Sequence, residues 1–371
     1  MTEKAPPTDP VTAEPLLAGR AAMAAHAWQD AFDQLSRADR VSRLSGADLE
    51  AFAQAAFLAG KTTIGLEIKE RAFKVYLAED DQLRAAYLAL DIAHDHGMSG
   101  RMSIASAWLR RGEKLLEGKP EGYAHAYLAL NRSEVAQFSG KIDEALALAE
   151  DAVRIATDTG NHDLQAAALS NFGSLRIATG ATADGIAMME EASVAAVNGE
   201  LSPIATGIAC CRMIAACRDL TDYRRASEWT EATEQWCERQ SVAGFPGVCR
   251  IHRAEVVAIG GSWDRAELEL RQAADELAGY MATVPLADGL YALGDIRRLK
   301  GDYEGAEAAF REANGLGRTP QPGLALIRLA EGNVTSAAAG ISSALGDQTW
   351  DKWARVRLLP AQVEIAVAVG N

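Results

Sequence analysis

A chain of 371 residues that is 49% hydrophobic can bury a large core, and its net charge of −14 argues against nonspecific binding to nucleic acid or to an anionic membrane. No apolar run approaches a membrane span and no signal peptide opens the chain, so a cytoplasmic protein is expected. Cys210, Cys211, Cys217, Cys237 and Cys249 fit neither a disulfide framework nor a CxxC metal pair, which agrees with a reducing compartment.

Aromatic residues make up only 6% of the chain, while 73 alanines and 32 glycines make up more than a quarter of it. That balance favours helix over strand. Residues 1–14, MTEKAPPTDPVTAE, read as a disordered tail. From residue 15 to residue 371 one unit recurs. Its turn begins at His26, Gly60, Gly100, Gly140, Gly180, Thr221, Gly261, Gly301 and Gly332, mostly 40 residues apart. Five residues after each turn stand Ala31, Gly65, Ala105, Ala145, Gly185, Ala226, Ala266, Ala306 and Ala337. For a fixed register, chance would give nine small residues in a row about once in 100,000 trials. Seven before the turn the column reads Gly19, Ala53, Ala93, Ser133, Gly173, Ile214, Ala254, Gly294 and Ala325. Ile214 is the misfit.

Small residues at fixed points on two helices allow close backbone approach, and bulky neighbours such as Leu35, Leu109, Met189, Leu270 and Phe310 fill the gaps. LYALGDIRRLKGDYEGAEAAFREA, residues 290–313, states the pattern most fully and has the signature of a tetratricopeptide repeat. The expected fold is all-α: a right-handed superhelix of about nine stacked hairpins plus a terminal helix. HEAT-like repeats share the longer period and are the architectural alternative.

Four stretches resemble the helical-repeat region of actinobacterial LuxR-type, MalT-like transcriptional regulators: residues 222–239, 248–270, 293–313 and 321–337. The likeness extends over nearly all of the repeat region. It implies a ligand- or protein-sensing arm. The nucleotide-binding and helix-turn-helix domains of that family have no counterpart here, so the resemblance does not transfer DNA binding.

Chemistry is sparse. Residues 55–62 nearly spell a phosphate-binding loop ending in Gly60-Lys61-Thr62, but they straddle a repeat turn, whereas a true loop follows a strand. His94-Asp95-His96 point to different sides of a helix and have no evident third metal ligand. No serine sits in a nucleophile-elbow context. No catalytic residue, metal or cofactor is therefore expected. The rival reading is a nucleotide-binding or hydrolytic domain using Gly60-Lys61-Thr62.

The first helices of such stacks line the concave surface. Nine before each turn they carry Asp91, Asn131, Asn171, Arg212 and His252, and six before it His94, Glu134, Ser174, Glu255 and Asp295. Tyr87, Tyr127, Tyr291 and Arg298 share that face. These fourteen residues form the candidate groove, for a protein segment, a peptide or a small effector. Asn131, Asn171, Glu134 and Tyr127 are the central candidates. At the C-terminus, Trp350, Trp353, Val356, Leu358, Leu359, Val363 and Ile365 cannot all be covered by the preceding hairpin. The uncovered face would serve self-association, a partner or further chain.

Overall fold

The computed structural model describes residues 10–239, 248–279, 283–347 and 351–370, and among them there is helix and no strand. The helices pair in chain order. The first five hairpins are α1 (Pro10–Ala24) with α2 (Trp28–Val41), α3 (Gly46–Leu58) with α4 (Thr62–Ala78), α5 (Gln82–Met98) with α6 (Met102–Leu116), α7 (Tyr123–Phe138) with α8 (Ile142–Asp158), and α9 (His162–Ala178) with α10 (Thr182–Val197). Four more follow: α11 (Pro203–Asp219) with α12 (Tyr223–Arg239), α13 (Val248–Ile259) with α14 (Trp263–Gly279), α15 (Thr283–Leu299) with α16 (Tyr303–Gly315), and α17 (Gly323–Ala330) with α18 (Val334–Asp347). A last helix, α19 (Lys352–Val369), has no second helix after it among the described residues. The fold is the expected all-α right-handed superhelix. Helix α1 begins at Pro10, so the tail boundary expected at residue 14 falls inside a helix; residues 1–9 lie outside the described residues.

Each hairpin turn is a reversal in left-handed backbone. All nine turn residues have positive φ, from 56° at His26 to 99° at Gly180. Seven are glycine, which has no Cβ to clash there; His26 and Thr221 adopt the same conformation at a steric cost. The hydrogen bonds are those of a helix C-cap: Gly140 N–H donates to Gln137 O at 3.0 Å and Lys141 N–H to Ala136 O at 2.9 Å. Asp81, Asn161 and Ser202 cap the first helices of later hairpins through their side chains.

The small-residue columns lie where the paired helices touch. Ala31, Ala145, Ala226, Ala266, Ala306 and Ala337 are fully buried. Ile214 is also buried, at 2% exposure, so the sixth hairpin takes a larger residue into the same seam. The closest approach is at Gly173 and Gly185. A Cβ on either would lie 2.6 or 2.5 Å from the other residue's carbonyl oxygen.

Successive first helices pack on one another along the stack (α5 on α7, α7 on α9, α9 on α11, onward to α17 on α19), whereas second helices scarcely meet. The first helices therefore line the inner side of the curve.

The terminal helix is better covered than the sequence suggests. Leu358 and Ile365 are buried against Ala325, Ile341 and Leu345. Trp353 packs on a cluster that includes Ile177, Met189 and Met213. Val356, Leu359 and Val363 remain exposed, as do Val367 and Val369. Pro360 lies within the helix without interrupting it. Trp350 lies outside the described residues.

Replacing Gly173 or Gly185 by Ala should force α9 and α10 apart and cost about 1–3 kcal/mol in denaturant unfolding. Gly97→Ala is the control. A Cβ there meets nothing within 4 Å, so that change should be neutral or stabilising by less than about 1 kcal/mol.

Candidate functional site

The inner face carries a ladder of ion pairs that runs from hairpin to hairpin. At its N-terminal end Lys69, on α4, places Nζ 2.7 Å from Asp91 Oδ2 and 2.7 Å from Asp95 Oδ2. The Tyr127 hydroxyl donates to the other Asp91 oxygen at 3.2 Å. Burial alone would lower the Lys69 pKa and raise that of Asp91. The mutual attraction outweighs it, so Lys69 is raised and Asp91 lowered.

The next rung joins three helices. His94 Nδ1 on α5 lies 3.6 Å from Glu134 Oε2 on α7, and Arg212 on α11 reaches past α9 to Glu134 Oε1 at 3.1 Å. Burial would push Glu134 up, but His94 and Arg212 together bring it down to about 2. Burial would likewise lower His94, and its hydrogen bond and attraction to Glu134 raise it instead. A third rung centres on Arg218, which binds Glu255 and Asp219, while His252 Nδ1 lies 3.5 Å from the same Glu255. Burial opposes ionisation of Glu255, yet Arg218 and His252 carry it down to about 2. Farther along, Arg298 pairs with Asp295 at 2.8 Å within α15. The Tyr291 hydroxyl accepts from Gly323 N–H at 3.3 Å, and Arg318 lies over the Tyr291 ring.

Aromatic contacts thicken the N-terminal half. Tyr87 stacks in tilted fashion on Tyr123 and Tyr127, with ring centroids 5.6 and 5.0 Å apart. Arg84 lies over the Tyr123 ring, 6.0 Å from its centroid. Tyr87 makes these ring contacts, and burial raises its hydroxyl well above the usual tyrosine range.

Two central candidates occupy a different place from the one their periodicity suggests. Asn131 is 7% exposed and donates to Tyr127 O at 2.9 Å; Asn171 is 3% exposed. The Ser133 hydroxyl lies 3.0 Å from Asn171 Oδ1 and 2.9 Å from Ala145 O. The two asparagines thus bind within and between hairpins rather than face the groove. Ser174 bonds back to Ser170 O at 2.9 Å. The remaining candidates lie along the ladder, half-buried. Lys69, Tyr123, Arg218, Asp219 and Arg318 join them, and the column reading missed these five. Lys69 sits on a second helix, and the others fall outside the two columns.

The alternative sites find no support in the geometry. Gly60 and Lys61 form the turn between α3 and α4, and the Lys61 ammonium lies over the Phe32 ring, 5.2 Å from its centroid. His96 turns into the core with both ring nitrogens buried and unpartnered, away from the His94–Glu134 pair. Among the described residues no group of three potential ligands could hold a metal ion. Burial pushes the Cys210 thiol up to about 11 and that of Cys217 to about 12, which keeps both protonated. Cys211 is disulfide-bonded, against the expectation that the cysteines form no disulfide framework. A recess of about 510 Å³ between α14 and α15 is lined by Asp264, Glu267, Arg271, Arg297 and Lys300. There Glu267 is already bound to Arg271, Arg297 and Lys300. No described helix is long and apolar enough to cross a membrane.

Comparison with solved structures decides the fold type. This is a tetratricopeptide-type superhelix. Cut9, in the APC/C hetero-tetramer Cut9-Hcn1, matches with a TM-score of 0.58 at 16% identity, over 89% of this chain and 59% of that one. The chain thus spans about three fifths of the length of that relative. A Rap protein complexed with Competence and Sporulation Factor matches with a TM-score of 0.51 at 13% identity, over 97% of this chain and the whole of that one. No family model matches the sequence, and no curated protein does.

The middle rung should be visible in a pH titration. Glu134 falls from 4.5 to about 2 on folding, so its contribution is present above pH 4.5 and is lost as pH falls towards 2. His94 is raised above 6.5, so its contribution is full below 6.5 and is lost as pH rises through the raised value. The two overlap between about pH 4.5 and 6.5. Glu134→Gln should flatten the acid limb of the stability curve. It should also drop the His94 midpoint, followed by NMR, below its value in the parent protein.

Proposed function

We propose that the chain is a non-catalytic binding module that recognises a peptide or protein segment on its inner face, acting as the sensing arm of a regulatory system. The observation that carries this reading is the inner face itself. Five hairpins contribute a line of tyrosines, carboxylates and guanidinium groups, and a sixth adds the Lys69 ammonium. Their charges are neutralised in place, and some of their hydrogen-bonding capacity is left open. An extended backbone needs alternating donors and acceptors. The cluster of Tyr87, Tyr123 and Tyr127 adds the aromatic area on which binding energy concentrates. The N-terminal half is the better anchor, because the three tyrosine rings gather there. Two resembling superhelices point the same way: Cut9 was solved with Hcn1, and the Rap protein with Competence and Sporulation Factor. The likeness of several stretches to MalT-like regulators is the support for a regulatory context. Asp91, Glu134, Arg212, Glu255 and Arg298 are the charged residues proposed to meet the ligand, with Tyr87 and Tyr127 as apolar anchors. His94 and His252 set the charge of the carboxylates they touch.

Selection of peptides from a random displayed library on the purified full chain tests the reading. Binders should lose about tenfold or more in affinity in a Tyr87→Ala/Glu134→Lys variant. They should be unchanged by Phe138→Ser, at a side chain 81% exposed on the turn edge. Binders indifferent to the inner-face changes would remove the groove from consideration. Tight binding of ATP with magnesium that disappears in Lys61→Ala would favour the nucleotide reading instead.

A further inference from the structure

The terminal helix touches the superhelix in two places far apart in sequence. One is its own neighbourhood, α17 and α18. The other is the middle of the chain, α9 and α11, five and four hairpins earlier. Three side chains make the second contact, all from the first turns of α19. Lys352 Nζ donates to Thr179 O at 2.8 Å, on the C-cap of α9, a contact spanning 173 residues. Trp353 enters the cluster formed by Ile177, Met213, Leu220 and Val256, residues of α9, α11, α13 and the α11 cap. Arg357 places Nη1 2.7 Å from Asp219 Oδ1, at the last residue of α11.

We infer that α19 is a latch: it closes hairpins five to nine into a ring, and its release opens the inner face of the C-terminal half of the superhelix. The first helices α9, α11, α13, α15 and α17 line that half, and α19 bridges the last of them back to the first. Without the bridge the stack has one continuous groove. With it, α19 is tied to α9 and α11 beside the third rung of the ladder.

The latch is built to be released. Its ion pair is near the surface: Arg357 keeps 37% and Asp219 28% of the side chain exposed. Ion pairs in such a setting are weak and screened by salt. Trp353 supplies apolar contact but is only partly buried. The inner face can sense the latch directly, because Asp219 is shared. Arg218 binds Asp219 Oδ1 with Nε at 2.9 Å and Nη2 at 2.7 Å, and binds Glu255 with Nη1. A ligand that draws Arg218 or Asp219 towards itself therefore weakens the hold on Arg357. Conversely, closing the latch fixes Asp219 and with it the third rung. Two sites that bias one two-state element are thermodynamically coupled in both directions. The latch holds whether or not the occupant of the groove is a peptide.

Hydrogen exchange on the full chain, read together with small-angle X-ray scattering, tests this. In the parent protein, amides in 178–182 and 352–358 should be protected. In the Trp353→Ala/Arg357→Glu variant both segments should exchange about tenfold faster or more, and the radius of gyration should rise. Helices α3 to α6 should be unchanged. Arg355→Glu is the control, since Arg355 donates to Leu345 O in the neighbouring hairpin at 3.2 Å and does not cross the ring. Should the double variant fail to fold, Asp219→Asn breaks the same ion pair from the other side and should produce the same local acceleration. The inference is overturned if 178–182 exchanges equally in the parent and in the latch variants. It is also overturned if Arg355→Glu acts as strongly as Arg357→Glu.

Discussion

The structure depends on one constraint: the two helices of a hairpin must come close enough for backbone to touch backbone. At Gly173 and Gly185 not even a methyl group fits between them. Elsewhere Ala, at zero exposure, is the largest residue most seams admit. Because each hairpin is thin at the same two heights, neighbouring hairpins nest with the same geometry, and a small rotation per unit accumulates into a superhelix. The left-handed turn residues complete the unit by reversing the chain in very few residues while their neighbours satisfy the freed carbonyl groups. The two non-glycine turns, His26 and Thr221, show that the reversal is imposed by the packed helices and not by glycine alone.

Curvature then decides where charge goes. First helices crowd on the inside, so their polar side chains meet across hairpins in a partly dehydrated space. There a lone carboxylate would tend to take up a proton. The ladder avoids this by surrounding each acid with a cation: Lys69 for Asp91 and Asp95, His94 and Arg212 for Glu134, Arg218 and His252 for Glu255. Desolvation offsets part of the attraction. Such networks position side chains at set heights along the groove, which is what selective binding of an extended segment requires. Deeper in the stack, Ser133 and Asn171 complement the ladder by tying neighbouring hairpins together through a buried hydrogen bond.

The terminal helix joins the two themes. It is held to the last hairpin by Leu358 and Ile365, the same apolar packing that holds every other helix. Its first turns instead use polar contacts and one partly buried tryptophan to reach the middle of the chain. A helix with one strong and one weak attachment pivots on the strong one. This makes the closed state of the C-terminal half adjustable without disturbing the stack.

The sequence alone determined the repeat. The turn register, the nine small residues after the turns and the count of nine hairpins plus one helix all follow from local periodicity, because each unit packs chiefly on its immediate neighbours. The inner strip was only partly legible. Periodicity placed Asp91, His94, Glu134, His252 and Glu255 on the inner face, but a column cannot tell whether a position at the edge of that face points into the groove or into the seam. Asn131 and Asn171 fell into the seam because Tyr127 O and Ser133 offered partners there. Lys69, Arg218 and Asp219 escaped notice because their roles depend on helices 22 to 138 residues away. The coverage of α19 by α9 and α11 could not be read locally at all. It arises from the summed rotation of five hairpins, and only the tertiary structure carries out that sum.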